Sequence, residues 1–305
     1  MFRKLLIVIF MLGVLVSACS PVASGSSGPM TLTDGLGREV SLDGTAARIV
    51  SLTPATTEML FAAGAGGQVV GRDMFSDYPA EALAVQDVGG SMGEYNLEAI
   101  VALQPDLVIA GGINPPELVA ALEALGLTVY FLPNPTTLEE LFSLLETIGE
   151  LSGHESEAAE LVAALQVRVA AVDEVIAAAD THPTVFYELD ATDPSRPYTA
   201  GPGTFVDLLI DRAGGENIGA RLQSPWAQID IETLITYNPE IVILGDAAYG
   251  ETPERVATRL GWDTLAAVQT GQVFPFDDNL VSRPGPRLVD GLEALARILH
   301  PELFE

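Results

Sequence analysis

Eight side chains could make up a binding surface: Phe75, Met92 and Tyr95 in the first half of the chain, and Tyr187, Arg196, Tyr198, Trp226 and Arg283 in the second. Aromatic rings supply wide, stiff contact area at modest ordering cost, which suits a macrocycle or a planar chelate. Arginine adds a planar fork of donors for carboxylate, phosphate or catecholate oxygens. Bland readings stand beside several of these residues. Tyr187 falls in a strand-like run, where burial in the core is as natural as ligand contact. Arg196 and Arg283 adjoin the turns of "RPY" and "PGP" and could simply brace them, and Arg287 is a weaker second in the latter stretch. Trp226, next to Pro225 in a polar loop, reads as exposed, whereas Tyr78 in "SDYP" reads as packing or turn structure.

Catalysis and direct metal binding find little support. "GPGTF" and "AGGENIG" do not meet G-x-G-x-x-G with its acidic partner, nor the P-loop with its lysine, and no G-x-S-x-G starts a hydrolase triad. The expectation is a protein that is not an enzyme and carries no cofactor. The three histidines, His154, His182 and His300, flank a helical stretch and the C-terminus, so they are not expected to meet in one metal site.

The elements that must position the eight side chains follow from periodicity. Short β-branched runs alternate with helical stretches: strand 48–52, a helix opened by "TP" and closed by Gly, strand 68–71, helix 96–104, strand 106–111, helix 115–125 and strand 128–132. Such alternation predicts a parallel sheet covered on both faces. Residues 137–180 are helical almost throughout, with a break at Ser152–Gly153, and residues 155–179 suggest a spine between two α/β blocks. Alternation resumes at strand 184–189 and continues through helices 204–213 and 231–237, strand 240–245, helices near 253–268, strand 273–276 and helix 285–299. The expected division is an N-terminal lobe over 46–136, a helical region over 137–181 and a C-terminal lobe over 182–305. In doubly wound sheets ligands sit beyond the carboxyl ends of the strands, so the eight candidates should face each other across a cleft.

The extreme N-terminus has a different job. "MFRKLLIVIFMLGVLVSACS" combines a basic start with an apolar run too short to span a bilayer, so residues 1–18 read as a secretory signal. "LVSAC" resembles the bacterial lipobox, which makes Cys19, the sole cysteine, the expected lipidation site; ordinary signal-peptidase cleavage is the alternative. Residues 19–45 then hold the tether and the start of the mature domain. Loss of Arg3 and Lys4 with the leader takes the formal charge from −28 to −30, and leaves arginine as the sole cationic side-chain type. So acidic a surface excludes nucleic acid and polybasic membrane docking.

A repeat links the two lobes. "NLEAIVALQPDLVIAGG" (96–112) aligns without a gap on "DIETLITYNPEIVILGD" (230–246), matching Glu98 with Glu232, Pro105 with Pro239 and Gly111 with Gly245. "AGGQVVG" (65–71) echoes "AGGENIG" (213–219) in the same order. Asn96 and Asp230 sit where helix N-caps belong, which places both glutamates in a first turn favoured by the helix dipole by about 0.3–1 kcal/mol. That suffices for either residue alone and less well for a matched pair.

Taken together, "RIVSLTPATTEMLFAAG", "FSDYP", "NLEAIVALQPDLVIA", "PYTAGPGTFVDLLIDRAGGENI", "SPWAQIDIETLI" and "SRPGPR" resemble the substrate-binding proteins of ATP-driven importers for iron–siderophore complexes, haem and cobalamin, across roughly residues 45–300. The resemblance implies two Rossmann-like lobes joined by one long rigid helix, that is, a class III binding protein. It further implies that Glu98 and Glu232 pair with arginines on a membrane permease. "SPWAQIDIETL", "PYTAGPGTF" and the aromatic of "FSDYP" are closest to the cobalamin type. A siderophore reader would display more basic side chains, and haem would need Tyr95 or Tyr198 as an axial ligand. The expected partners are therefore a metal chelate, with a corrinoid favoured, the permease of an ABC importer, and the membrane through a lipid on Cys19. A monomer on the outer face of the cytoplasmic membrane is expected, and an enzyme or a purely structural surface protein is the alternative of another class.

Overall fold

The computed structural model describes residues 28–91 and 93–304. The signal segment 1–18, Cys19 and Met92 lie outside the described residues. An antiparallel hairpin, β1 (Met30–Thr33) and β2 (Glu39–Leu42), precedes the first lobe. Sequence reading had assigned this stretch to the tether and domain start, because four-residue strands with half-polar patterns carry almost no periodic signal. Arg38, braced within the hairpin turn by Asp34, ties it to the lobe through Glu123 (2.6 Å) and the Val129 carbonyl (3.1 Å).

The N-lobe comprises β3 (Ile49–Ser51), α1 (Pro54–Ala62), β4 (Val69–Arg72), β5 (Gln86–Asp87), a small hairpin of β6 (Gly89–Ser91) and β7 (Glu94–Tyr95), α2 (Leu97–Ala102), β8 (Leu107–Gly111), α3 (Pro116–Ala124) and β9 (Val129–Leu132). Its sheet runs β5-β4-β3-β8-β9, and every pairing is parallel. The interior strand β8 is buried along all five residues, as expected of a strand covered on both faces.

Two helices follow, α4 (Leu138–Ser152) and α5 (Glu155–Ile176). Gly153 at φ +76° closes α4 in the left-handed conformation that glycine adopts freely. Gly149 lets the two helices touch: a Cβ there would lie 2.6 Å from that of Ala158. The 22 residues of α5 span about 33 Å. Its buried positions, Ala158, Val162, Leu165, Val169 and Val172, fall at alternating spacings of four and three, one stripe along the rod. Each buried valine or leucine contributes roughly 1.5–3 kcal/mol. This stripe belongs to a hydrophobic core that also holds Ile49, Leu107 and Ile109 from the first sheet and Val185, Tyr187 and Ile243 from the second. The rod is thus embedded in both lobes.

The C-lobe adds β10 (Thr184–Asp190), β11 (Tyr198–Ala200), α6 (Phe205–Arg212), β12 (Glu216–Asn217), β13 (Trp226–Gln228), α7 (Ile231–Tyr237), β14 (Ile241–Leu244), α8 (Pro253–Ala257), α9 (Ala266–Thr270), β15 (Val273–Pro275), α10 (Asn279–Ser282) and α11 (Leu288–Leu299). Strands β12 and β14 pair with β10, and β15 with β14, all in parallel, whereas β11 pairs antiparallel with both β10 and β13. The second sheet is accordingly mixed. The expected helix 285–299 starts three residues later, as α11 at Leu288, because Pro284 and Pro286 hold the preceding turn, and the single-turn α10 before it was not expected from the sequence. Arg168 of α5 holds α11 through Asp290 (2.6 Å) and Glu293 (2.8 Å), and Arg212 of α6 holds α5 through Asp173 (2.8 Å).

The sequence repeat has a structural counterpart. In the N-lobe, α2 leads into β8, which lies between β3 and β9; in the C-lobe, α7 leads into β14, which lies between β10 and β15. The second echo leads into β4 in one half and β12 in the other, each pairing parallel with the first strand of its lobe. The two sheets are separate.

Candidate functional site

The carboxyl ends of both sheets face each other, as contacts between the loops that leave them demonstrate. Arg287, beyond β15, grips Glu58 in the middle of α1 with Nε and Nη2 at 2.9 and 2.5 Å. The same guanidinium lies 4.0 Å from the centre of the Tyr78 ring, in the loop after β4. Arg283 donates to Asp77 at 2.5 Å and lies 3.6 Å from Glu58. The hydrogen bond from Arg283 holds the Asp77 carboxyl below the usual range. Arg283 is therefore committed to the lobe junction, and Tyr78 packs beneath Arg287.

The C-lobe wall is built on the antiparallel ribbon. Tyr198 pairs with Gln228 and Ala200 with Trp226, so these four side chains share one face. Tyr198 is 46% and Trp226 57% exposed, while Thr199 on the opposite face is buried. Diagonal neighbours of this kind lie about 7–8 Å apart, within reach of one flat ligand. Arg196, on the loop between β10 and the ribbon, is exposed. Its side chain makes no hydrogen bond, ion pair or ring contact, alone in this among the arginines of the described residues. In so acidic a chain that leaves one ready cation in the loop that enters the ribbon, two residues before Tyr198.

The N-lobe contributes Phe75, 52% exposed, in the loop after β4. Asp73 holds its loop by accepting from the Phe75 amide (2.9 Å) and from Ser76 Oγ. Tyr95 is half-buried, and its hydroxyl donates to the Leu52 carbonyl and accepts from Asn114, both at 2.8 Å. Burial raises its pKa, so this oxygen is neither free nor readily ionised. Tyr187 does not reach the cleft: it is fully buried, with its hydroxyl donating to Asp278 at 2.8 Å. Of the eight candidates, then, Phe75, Arg196, Tyr198 and Trp226 are accessible, Tyr95 is half-buried, Tyr187 belongs to the core and Arg283 to the lobe junction.

What sequence reading missed is the support behind the wall. Glu188, at the end of β10, is fully buried and takes a two-pronged grip from Arg259 at 2.6 and 2.8 Å. Arg259 stacks 4.4 Å over the Trp262 ring, whose Nε1 donates to the Pro194 carbonyl at 3.0 Å. Asp246 accepts from the Ala191 amide at 3.1 Å. The loop that carries Arg196 is thus anchored at both ends. Burial lifts the Glu188 carboxyl to about 7 against the pull of Arg259. No sequence signal separates these residues from ordinary surface charges.

Between the lobes, Thr53, Ala55, Ile113, Arg283 and Pro284 line a concavity of about 130 Å³. A larger one, about 750 Å³, lies on the C-lobe among His182, Thr204, Asp207, Asp211, Glu216 and Arg221. Volume alone would favour the second, but carboxylates dominate its charge and no Phe, Tyr or Trp lines it. The aromatic and cationic groups favour the mouth between the lobes, where a large flat ligand would lie across the rim. Among the described residues no cluster of His, Cys, Asp and Glu could hold a metal ion. His182 and His300 nevertheless meet, both on the Gly214 carbonyl at 2.9 and 3.2 Å, which the sequence did not suggest. Glu98 and Glu232 are exposed in the first turns of α2 and α7, and neither has an ion-pair partner among the described residues.

The family described as "Periplasmic binding protein" matches residues 49–280, most of both lobes. The chain belongs to it. Among relatives of this periplasmic binding protein, the ABC transporter substrate-binding lipoprotein YvrC of Bacillus subtilis is 31% identical, over 91% of this chain and 87% of that one. A cobalamin-binding protein of Halobacterium salinarum is also 31% identical, over 89% and 74%. The solved vitamin B12-binding protein BtuF of Vibrio cholerae superposes with a TM-score of 0.72 at 28% identity, over 85% of this chain and 99% of that one. A heme-binding protein of Roseiflexus gives 0.75 at 25%, over 85% and 100%. The two-lobed fold with its connecting helix is that of the class III binding proteins. These relatives are named as binding proteins, in keeping with the expectation of binding rather than catalysis.

Proposed function

We propose that this periplasmic binding protein is the lipid-anchored receptor of an ABC importer and captures a corrinoid at the mouth between its lobes. Tyr198 and Trp226 form the floor, Phe75 the opposing ring, and Arg196 the cation that meets a peripheral oxygen of the ligand. The observation that carries this reading is the pair of exposed rings, Tyr198 and Trp226, on one face of a ribbon, with the unpartnered Arg196 two residues before Tyr198 in the loop that enters it. Cobalamin-binding relatives that cover most of both chains support the ligand class. Glu98 and Glu232, exposed on the matching helices of the two lobes, are the carboxylates offered to the permease. Cys19 carries the anchor.

The test is titration of the mature chain, with Cys19 replaced, against cyanocobalamin, followed by tryptophan fluorescence. Trp226 is exposed and Trp262 buried, so quenching should vanish in Trp226→Phe. Absence of quenching and of any thermal shift with cyanocobalamin would refute the corrinoid reading. Haem is the second reading, favoured by one observation: the Tyr198 hydroxyl, unlike that of Tyr95, has no protein partner. A tyrosinate-type Soret spectrum that is lost in Tyr198→Phe would favour it.

A further inference from the structure

The matched helices α2 and α7 repeat more than a glutamate. Three residues after Glu98 comes Val101, 40% exposed; three after Glu232 comes Ile235, 38% exposed. Residues three apart on a helix are neighbours on one face. The packing of these helices is done by the residue just before, Ile100 in one and Leu234 in the other, each fully buried. Val101 and Ile235 therefore owe their exposure to neither the core nor a turn. A lone exposed aliphatic side chain is ordinary. Two at equivalent positions of an internal repeat, each beside a carboxylate without an ion-pair partner, form a pattern that folding alone does not require. The C-lobe copy is larger. Leu260 is 96% exposed, and a Cβ on the next residue, Gly261, would lie 3.4–3.5 Å from Ile231 and Ile235.

We infer that each lobe docks on the importer's membrane permease through a carboxylate–aliphatic pair, Glu98 with Val101 and Glu232 with Ile235, the second enlarged by Leu260. This rests on the docking role proposed above for the two glutamates and extends it. The occupant is a permease with two similar sockets, each a cation beside an apolar recess. Two related patches on a pseudo-repeated chain fit a partner built from two like subunits. The division of labour is physical: exposed charges steer encounter and set register, while desolvated aliphatic contacts slow departure. The larger C-lobe patch makes that lobe the longer-lived contact.

The experiment measures association and dissociation of the mature chain on its permease in lipid nanodiscs, across a salt series. Val101→Ser with Ile235→Ser should raise the dissociation rate about tenfold and leave the association rate and its salt dependence unchanged. Leu260→Ser alone should raise dissociation about threefold. Glu98→Ala with Glu232→Ala should instead slow association and flatten its salt dependence. Unchanged dissociation in the serine variants, alongside impaired glutamate variants, overturns the inference and leaves the docking role standing. Unchanged kinetics in the glutamate variants overturns the docking role itself. Val101→Thr with Ile235→Thr, which keeps the side chains branched, guards against loss of helix structure, and thermal unfolding of each variant confirms the fold.

Discussion

Arg287 and Glu58 join the two lobes by a pair of hydrogen bonds, 2.9 and 2.5 Å, with the carboxylate 2% exposed. The contact lies at the carboxyl edges, away from the α5 rod, so the lobes are fastened at two places.

Arg287→Met should cost about 3 kcal/mol, because it leaves the buried Glu58 carboxylate with only the longer, 3.6 Å contact to Arg283. Glu58→Gln combined with Arg287→Met should recover a large part of that loss. Arg283→Gln should cost under 1 kcal/mol, since Asp77, its close partner, is largely exposed. Urea denaturation of these three variants and of Glu58→Gln alone checks all three statements, the Glu58 and Arg287 variants forming a double-mutant cycle.

Stability should fall between pH 5 and pH 7.5. Burial raises Glu188 from its ordinary 4.5 to about 7, and burial also raises Asp246 nearby. The folded chain therefore binds these protons more tightly than the unfolded one, so their contribution is complete below pH 4.5 and lost as pH climbs through 7. Asp77 and Glu293, lowered by hydrogen bonds from Arg283 and Arg168, act in the opposite sense, and their contribution disappears below about pH 4. Thermal melting should peak near pH 5, and Glu188→Gln should flatten the decline above it.

Trp226→Ala should weaken ligand binding at least tenfold, about 1.4 kcal/mol, with no change in melting temperature. Tyr187→Phe should do the reverse. It removes the hydroxyl that donates to Asp278, costs about 1 kcal/mol of stability, and leaves affinity unaltered. Calorimetric titration beside thermal unfolding separates the two roles.

Gly149→Leu should destabilise the chain by about 1–3 kcal/mol, since α4 and α5 touch where its side chain would stand. Gly153→Ala should cost about 1 kcal/mol through its left-handed backbone. Chemical denaturation of each reads the cost directly.

Repeats and periodicity are one-dimensional, and whatever they encode was legible in the chain itself. Helix α7 lies at 231–237 and the main strands and helices of both lobes stand, since the burial of alternate or fully apolar runs is written locally, whereas the short β11, β12 and β13 carry too little pattern to be read from sequence. Glu98 and Glu232 could be found because a repeat compares the chain with itself. Tertiary structure alone decided which polar groups lose their freedom. Arg196 and Arg283 look alike in sequence, yet one is unpartnered and the other is held by Asp77, 206 positions away. Tyr95 and Tyr198 differ for the same reason: the hydroxyl of one meets Leu52 and Asn114, and the other faces solvent. Ion pairing and desolvation depend on distances of a few ångströms between segments far apart in the chain, and no local pattern records those distances.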